Sequence, residues 1–194
     1  MLGNFNVHIA QGSYQAQGGE EQLSTTVLEL MKLREFRRVL YVGAHPDDEN
    51  NKLIAYLAKE RFMDVAYLSL TRGEGGQNFI GAESGDDLGI LRVQESIQAR
   101  RVDGGRQFFT RAKDFGFSKC AQESISVWGE DAVLEDLVYI IREYQPDIII
   151  SRFSPVVADR HGHHQASAIL IRKAFALAAK TSAYPDQLAQ LGTW

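Results

Sequence analysis

A single cysteine, Cys120, occurs in 194 residues, which excludes an internal disulfide and a cysteine-based zinc site. Proline is nearly as scarce, with 4 in the chain, and each one therefore punctuates. Long hydrophobic runs are missing: no uninterrupted apolar stretch approaches the roughly 20 residues that span a bilayer. No membrane span is expected. Positive charge is not in excess either. Lys and Arg number 21 against 25 Asp and Glu, a net charge of -4, so the footprint of a nucleic-acid binder is absent. Met1 to Ala10 has neither a basic n-region nor a long apolar core, and no signal peptide is visible. If that N-terminus is native, the expected compartment is the cytoplasm. The composition says nothing of oligomeric state. What remains is an ordinary globular chain, 44% hydrophobic and 24% charged, long enough for one sizeable core.

The chain is organised around Val39-Leu-Tyr-Val-Gly-Ala-His-Pro-Asp-Asp-Glu-Asn50. Val39 to Ala44 is β-branched, aromatic-rich and uncharged, the pattern of a buried strand. Pro46 cannot extend a ladder. Asn51 to Ala58 then takes helical spacing, and that helix is expected to run to about Arg61. A strand ending in His45, Asp47, Asp48 and Glu49 before a helix puts those groups at the carboxyl edge of a sheet, where open α/β sheets bind ligands. His45 and Asp48 can turn toward one ion and leave Asp47 beside it. The competing reading is that Asp47 and Asp48 only cap the helix.

Around this stretch the pattern is α/β with a mostly parallel sheet. Residues 1–20 lack periodicity and read as a poorly structured segment; 21–194 read as one domain. A helix from Ser24 carries the apolar stripe Val27, Leu30, Met31 and Leu33. Val65 to Thr71 is a strand. The Gly-rich stretch after it, Arg72 to Asn78, has neither a dinucleotide nor a Walker fingerprint. Its glycines allow close approach to a ligand and Glu74 offers a polar anchor, with plain loop flexibility as the alternative. Leu88 to Arg101 reads as a helix with Leu91, Ile97 and Ala99 inside; Arg92 and Glu95 on it have the spacing of a surface ion pair. Arg106 to Phe109 is a short strand, and Thr110 to Ser126 is irregular with Phe115 and Phe117 packing. Asp131 to Tyr144 is an amphipathic helix that Pro146 ends. Asp147 to Phe153 is a buried strand, and Ala168 to Ala179 is the final helix.

Between that last strand and helix lies a second polar cluster, with Asp159, His161, His163 and His164. Three of the five histidines fall within four positions, facing His45, Asp47 and Asp48 at the same sheet edge. Imidazole and carboxylate donors without thiolate suit a hydrolytic zinc site, where three protein ligands leave a position for water.

Ala44-His-Pro-Asp-Asp-Glu49 resembles the signature of the LmbE/PIG-L zinc deacetylases, which remove acetyl from N-acetylglucosamine groups on small thiols, lipids or antibiotics. His161-Gly-His-His164 is similar to that family's second motif, usually His-Pro-Asp-His. Thr71-Arg-Gly-Glu-Gly75 and Arg92-x-x-Glu95 fall where the family has its Gly-Glu loop and Arg helix. The resemblance covers roughly residues 38–180. It implies a Rossmann-like three-layer sandwich and one Zn²⁺ per chain, held by His45, Asp48 and His164. It also implies Asp47 as general base and His161 as the group that stabilises the oxyanion or protonates the leaving amine. Arg92 and Glu74 would face a small N-acetylated sugar conjugate. Gly162-His163 departs from Pro-Asp, with Asp159 expected to supply the missing acid. Asp159 also stands where some members have Tyr, and Ser118-Lys119 stand where many have an acid. Members continue with further strand and helix, so this chain reads as truncated at its C-terminal end. A two-metal phosphoesterase and a non-catalytic sugar-binding module with a structural metal are the alternatives.

Overall fold

The computed structural model describes residues 19–156 and 161–194. Most of the first 20 residues, and Asp159, lie outside the described residues. Four strands form one sheet: β1 (Arg38–Gly43), β2 (Asp64–Ser69), β3 (Arg106–Phe109) and β4 (Ile148–Ser151). Their spatial order is β3-β2-β1-β4, and every pairing is parallel. The helices are α1 (Gly19–Lys32), α2 (Asn51–Ala55), α3 (Asp86–Asp103), α4 (Ala121–Trp128), α5 (Glu130–Tyr144), α6 (Gly162–Ala178) and α7 (Pro185–Leu191). Among the described residues no helix is long and apolar enough to cross a membrane.

Period-two alternation along the strands builds the three layers. Leu40, Val42, Ala66 and Leu68 pack on one face against Ile125 of α4, Leu137 and Ile141 of α5, and Leu170 and Ala174 of α6. Val39, Tyr41, Val65 and Tyr67 face the other way, onto Ile54 of α2 and Ala58. Side chains such as Leu40 and Leu137 are wholly buried, each contributing roughly 1.5–3 kcal/mol relative to exposure. Register aligns the strand ends: Gly43 pairs with Ser69, Ser69 with Phe109, and Val42 with Ser151. The segments that follow the four strands therefore meet at one carboxyl edge.

Several local expectations are corrected. The helix after β1 is regular only to Ala55 and continues as a π-helical turn, Tyr56–Glu60. Leu91 of α3 is exposed; Leu88, Ser96 and Arg100 are buried instead. The stretch expected to be irregular contains α4, and Phe115 and Phe117, though exposed on one side, pack against the rings of His163 and His161. The apolar stripe expected for this first helix is exposed as well, with Leu30 in α1 and Leu33 just beyond it on the surface. β4 is shorter than expected and only half-buried, because it forms one edge of the described sheet. α6 begins at Gly162, well before Ala168, and so takes in His163 and His164.

Arg142 of α5 secures the far end of α6. Its buried guanidinium donates to the carbonyls of Ala178, Lys180, Ala183 and Tyr184 and to Gln187 Oε1, at 2.9–3.3 Å. Five N–H donors meet five acceptors, which is the full capacity of the side chain.

Candidate active site

The three consecutive acids after β1 part in three directions. Asp48 turns back: its Oδ2 accepts the backbone N–H of Ala44 at 2.8 Å and of His45 at 2.7 Å. Its close approach requires Gly43, where an added Cβ would lie 2.7 Å from Asp48 Cβ and 2.5 Å from the Tyr67 hydroxyl. Glu49 turns under the sheet edge toward Arg100, 3.6 Å away. Asp47 alone is exposed. Neither Asp47 nor Asp48 caps α2; that work falls to Asn50, whose Oδ1 accepts the Leu53 N–H at 3.1 Å. Helix capping is thus excluded as the reason for the acidic pair.

The histidines come from the start of α6. Gly162 donates its N–H to Ser118 O at 2.8 Å, a bond that proline could not make. A Cβ there would stand 2.3 Å from the Cys120 carbonyl oxygen, so the helix start needs glycine to seat against that loop. His161 is the N-cap, its Nδ1 accepting the His163 N–H at 3.2 Å. The ring of His164 stacks on Phe153 at 3.8 Å between centroids and faces His161 at 4.7 Å.

Asp48 lies between two imidazoles, with Oδ2 3.4 Å from His45 Nδ1 and Oδ1 3.5 Å from His164 Nε2. Three overlapping groups have donor atoms close enough to hold an ion: His45 with His161 and His164, His45 with Asp47 and Asp48, and His45 with Asp114 and His163. His45 is common to all three. Burial opposes its protonated form, but the Asp48 hydrogen bond and charge, followed by Asp114 and Asp47, outweigh burial and raise its pKa. Burial likewise works against ionised Asp48, yet the His45 hydrogen bond and charge and the His164 charge bring its pKa down. Neutral nitrogen and carboxylate oxygen around one point are the donor set of a hard or borderline divalent cation.

Beside this cluster is a cleft of about 370 Å³ lined by Pro46, Asp47, Glu49, Arg92, Glu95 and Ser96, among others. Arg92 reaches its wall, donating to Gly73 O at 3.1 Å and Gln77 O at 3.2 Å. Glu74 is not among the residues lining the cleft. Buried, it accepts the N–H groups of Arg72 and Asp114 through Oε2, both at 3.1 Å, and so ties the loop after β2 to the loop after β3. Two neighbours of the cluster had no sequence reading: Asp114, buried 3.5 Å from His163 Nδ1, and Phe153 beneath His164. The position of Asp114, five residues beyond β3 at the carboxyl edge, was the available signal.

The profile of the PIG-L family, described as GlcNAc-PI de-N-acetylase, matches residues 40–175. The 1D-myo-inositol 2-acetamido-2-deoxy-alpha-D-glucopyranoside deacetylase of Rhodococcus opacus is 31% identical, over 77% of this chain and 56% of its own length. The chain spans about half the length of the curated relatives it matches. Among solved structures, the N,N'-diacetylchitobiose deacetylase of Pyrococcus horikoshii superposes with a TM-score of 0.61 at 20% identity, covering 91% of this chain and 66% of the other. The 4-carboxy-2-hydroxymuconate hydratase of Pseudomonas putida gives 0.59, also at 20% identity, over 75% and 58%. Structural likeness at that identity speaks for the fold alone, and one fold hosts both chemistries.

Proposed function

The chain belongs to the PIG-L family, and from that premise we propose that it is a zinc-dependent hydrolase that removes acetyl from an N-acetylglucosamine-type conjugate. The observation that carries this reading is the placing of one exposed carboxylate, Asp47, on a cleft wall directly beside the half-buried His45–Asp48–His164 cluster. A purely structural ion has no use for an extra carboxylate at the opening.

His45, Asp48 and His164 would hold the zinc, which when bound polarises the amide carbonyl and eases deprotonation of water. The donor set fits: imidazole and carboxylate, no thiolate, with Asp48 already fixed by two backbone N–H groups. Asp47, free of capping duty, takes the proton of the attacking water. His161 has Nδ1 committed to the His163 N–H, so its proton resides on Nε2. From there it donates a hydrogen bond to the developing oxyanion, and the departing amine takes the proton that Asp47 received from water. Arg92 contacts the sugar from the cleft wall, and Glu74 serves substrate binding by fixing the Gly-rich loop that Arg92 grips.

A two-metal phosphoesterase would need a second set of donors, yet all three groups share His45, and the one with Asp114 and His163 is closed. His163 is wholly buried and Asp114 nearly so, leaving no face open to a phosphate. The test is acetate release from N-acetylglucosamine conjugates by zinc-loaded protein, with metal content measured on the same sample. Zinc at one per chain with acetate release supports the reading. Zinc without acetate on any conjugate leaves a binding module, and no zinc uptake removes the site.

A further inference from the structure

His163 is the one histidine of the cluster with no part in the proposed chemistry, yet it is the most deeply placed. It is fully buried, between the edge of Phe115 at 4.5 Å and the ring of Trp128 at 4.8 Å. Its Nδ1 lies 3.0 Å from His45 Nε2. Among the described residues its Nε2 meets no hydrogen-bond partner. A buried polar atom left without a partner is uncommon enough to require a reason.

The reason follows from proton counting on His45. Its Nδ1 faces Asp48 Oδ2 at 3.4 Å and its Nε2 faces His163. A nitrogen that gives its lone pair to a cation carries no proton, so a neutral His45 ligating through Nδ1 must carry its proton on Nε2. That N–H points at His163 Nδ1, which must then be an acceptor, and the His163 proton is left on Nε2 in the apolar wall. Asp114 Oδ1 stands 3.5 Å from His163 Nδ1 but takes the Gly116 N–H at 2.8 Å, so it does not depend on a proton from His163.

We infer that His163 is the positioning residue of His45: its Nδ1 accepts the His45 Nε2–H and holds that ring with Nδ1 turned to Asp48. At ligating histidines this work more often falls to a carboxylate or a backbone carbonyl. The orphaned Nε2 is the consequence of using an imidazole there. The inference rests on the zinc reading of the site, and the experiment separates the two.

Zinc affinity is measured by chelator competition on the full chain for wild type, His163→Leu and His163→Asn. The two variants are close in size, so they leave similar space, and only Asn keeps an acceptor near the Nδ1 position. Leu should weaken zinc binding by about 10–100-fold, and Asn should recover most of that loss. Because a variant can fail to fold, nitrogen-15 NMR of zinc-loaded wild type supplies a second readout. It should find protons on His45 Nε2 and His163 Nε2, with His163 Nδ1 bare. Equal zinc affinity for wild type and Leu overturns the inference, as does a proton on His163 Nδ1 in the loaded protein. Two zinc ions per chain, one of them lost in Leu, would make His163 a ligand and overturn it too. Wild type that takes up no zinc defeats the proposed function together with this inference.

Discussion

The two ends of α6 bury polar groups in opposite ways. At the C-terminal end, Arg142 finds an acceptor for each of its five N–H groups, four of them backbone carbonyls in or past the last turn. At the N-terminal end, four imidazoles and two aspartates crowd within about one ring's reach, and His163 Nε2 is left without a partner among the described residues. Both ends are anchored on the same helix and packed into the same core. The satisfied end has the character of architecture, because nothing in it is left to bind. The frustrated end concentrates like donors that only a cation or a proton reconciles, the usual mark of a functional site.

Substitutions at the two ends should therefore separate binding from stability. The largest effect is expected from His164→Ala, which should remove tight zinc binding. Its loss should exceed the roughly 10–100-fold cost of altering a residue behind a ligand, while metal-free protein melts near the wild-type temperature. Equal losses from His163→Ala and His164→Ala would mean that the ligand has been assigned to the wrong histidine. Next comes Arg142→Met. It strands the buried Ala178 carbonyl and three part-buried ones at once, and denaturant unfolding should show a loss of about 3 kcal/mol or more. Zinc affinity of the folded fraction should not change. If Arg142→Met weakened zinc binding as well, the two ends would not be independent.

Arg92→Ala tests the cleft between core and solvent. Its guanidinium holds Gly73 O and Gln77 O rather than pairing with Glu95. Steady-state kinetics should give about a tenfold fall in kcat/KM, equivalent to ~1.4 kcal/mol of transition-state binding. Thermal stability should move little. Lost stability with unchanged kinetics would leave Arg92 as a loop clamp only.

A further effect is a pH slope in metal-free protein. Burial, and then the charges of His45, His161 and His164, bring the His163 pKa down to about 3. The unfolded chain, with a histidine pKa of about 6.5, binds more protons throughout the interval between the two values. The stability that His163 contributes is present above that interval and is lost as pH falls through it, at up to about 1.4 kcal/mol per pH unit. His45, with its pKa raised, acts with the opposite sign, but it is retained in His163→Leu. The difference between wild type and that variant in urea titrations from pH 7 to pH 4 reports His163 together with its coupling to His45. Parallel curves would show that the acid sensitivity lies elsewhere.

How much of this could be read from residues alone varied with what each residue answers to. β1, β3 and α5 were legible because their apolar patterns answer only to local period and burial; β3 was placed at Arg106–Phe109 to the residue. The start of α6 was hidden because Gly162, His163, His164 and Gln165 are polar and lack a helical stripe, and seating against Ser118 and Cys120 overrides local preference. α4 was hidden in the same way, its Ala121, Ile125 and Trp128 buried within a stretch too short and polar to show a period. The site followed from the histidine count and the acid run, which are local. The tie from Glu74 to the Asp114 N–H and the bond from His45 to His163 span 40 and 118 positions. No local pattern carries such links.

The most direct test of the catalytic reading is Asp47→Asn, assayed for zinc content and for acetate release on one preparation. Asn keeps the size and polarity of Asp47 but cannot take a proton at neutral pH. Because Asp47 caps no helix and stands exposed on the cleft wall, the predicted result is full zinc occupancy, an unchanged melting temperature and activity lowered by about 10²–10⁴-fold. The acidic limb of the pH–rate profile should vanish with it. Loss of zinc would make Asp47 a ligand and exchange the roles of the two aspartates. Zinc retained with full activity would contradict the proposed chemistry outright.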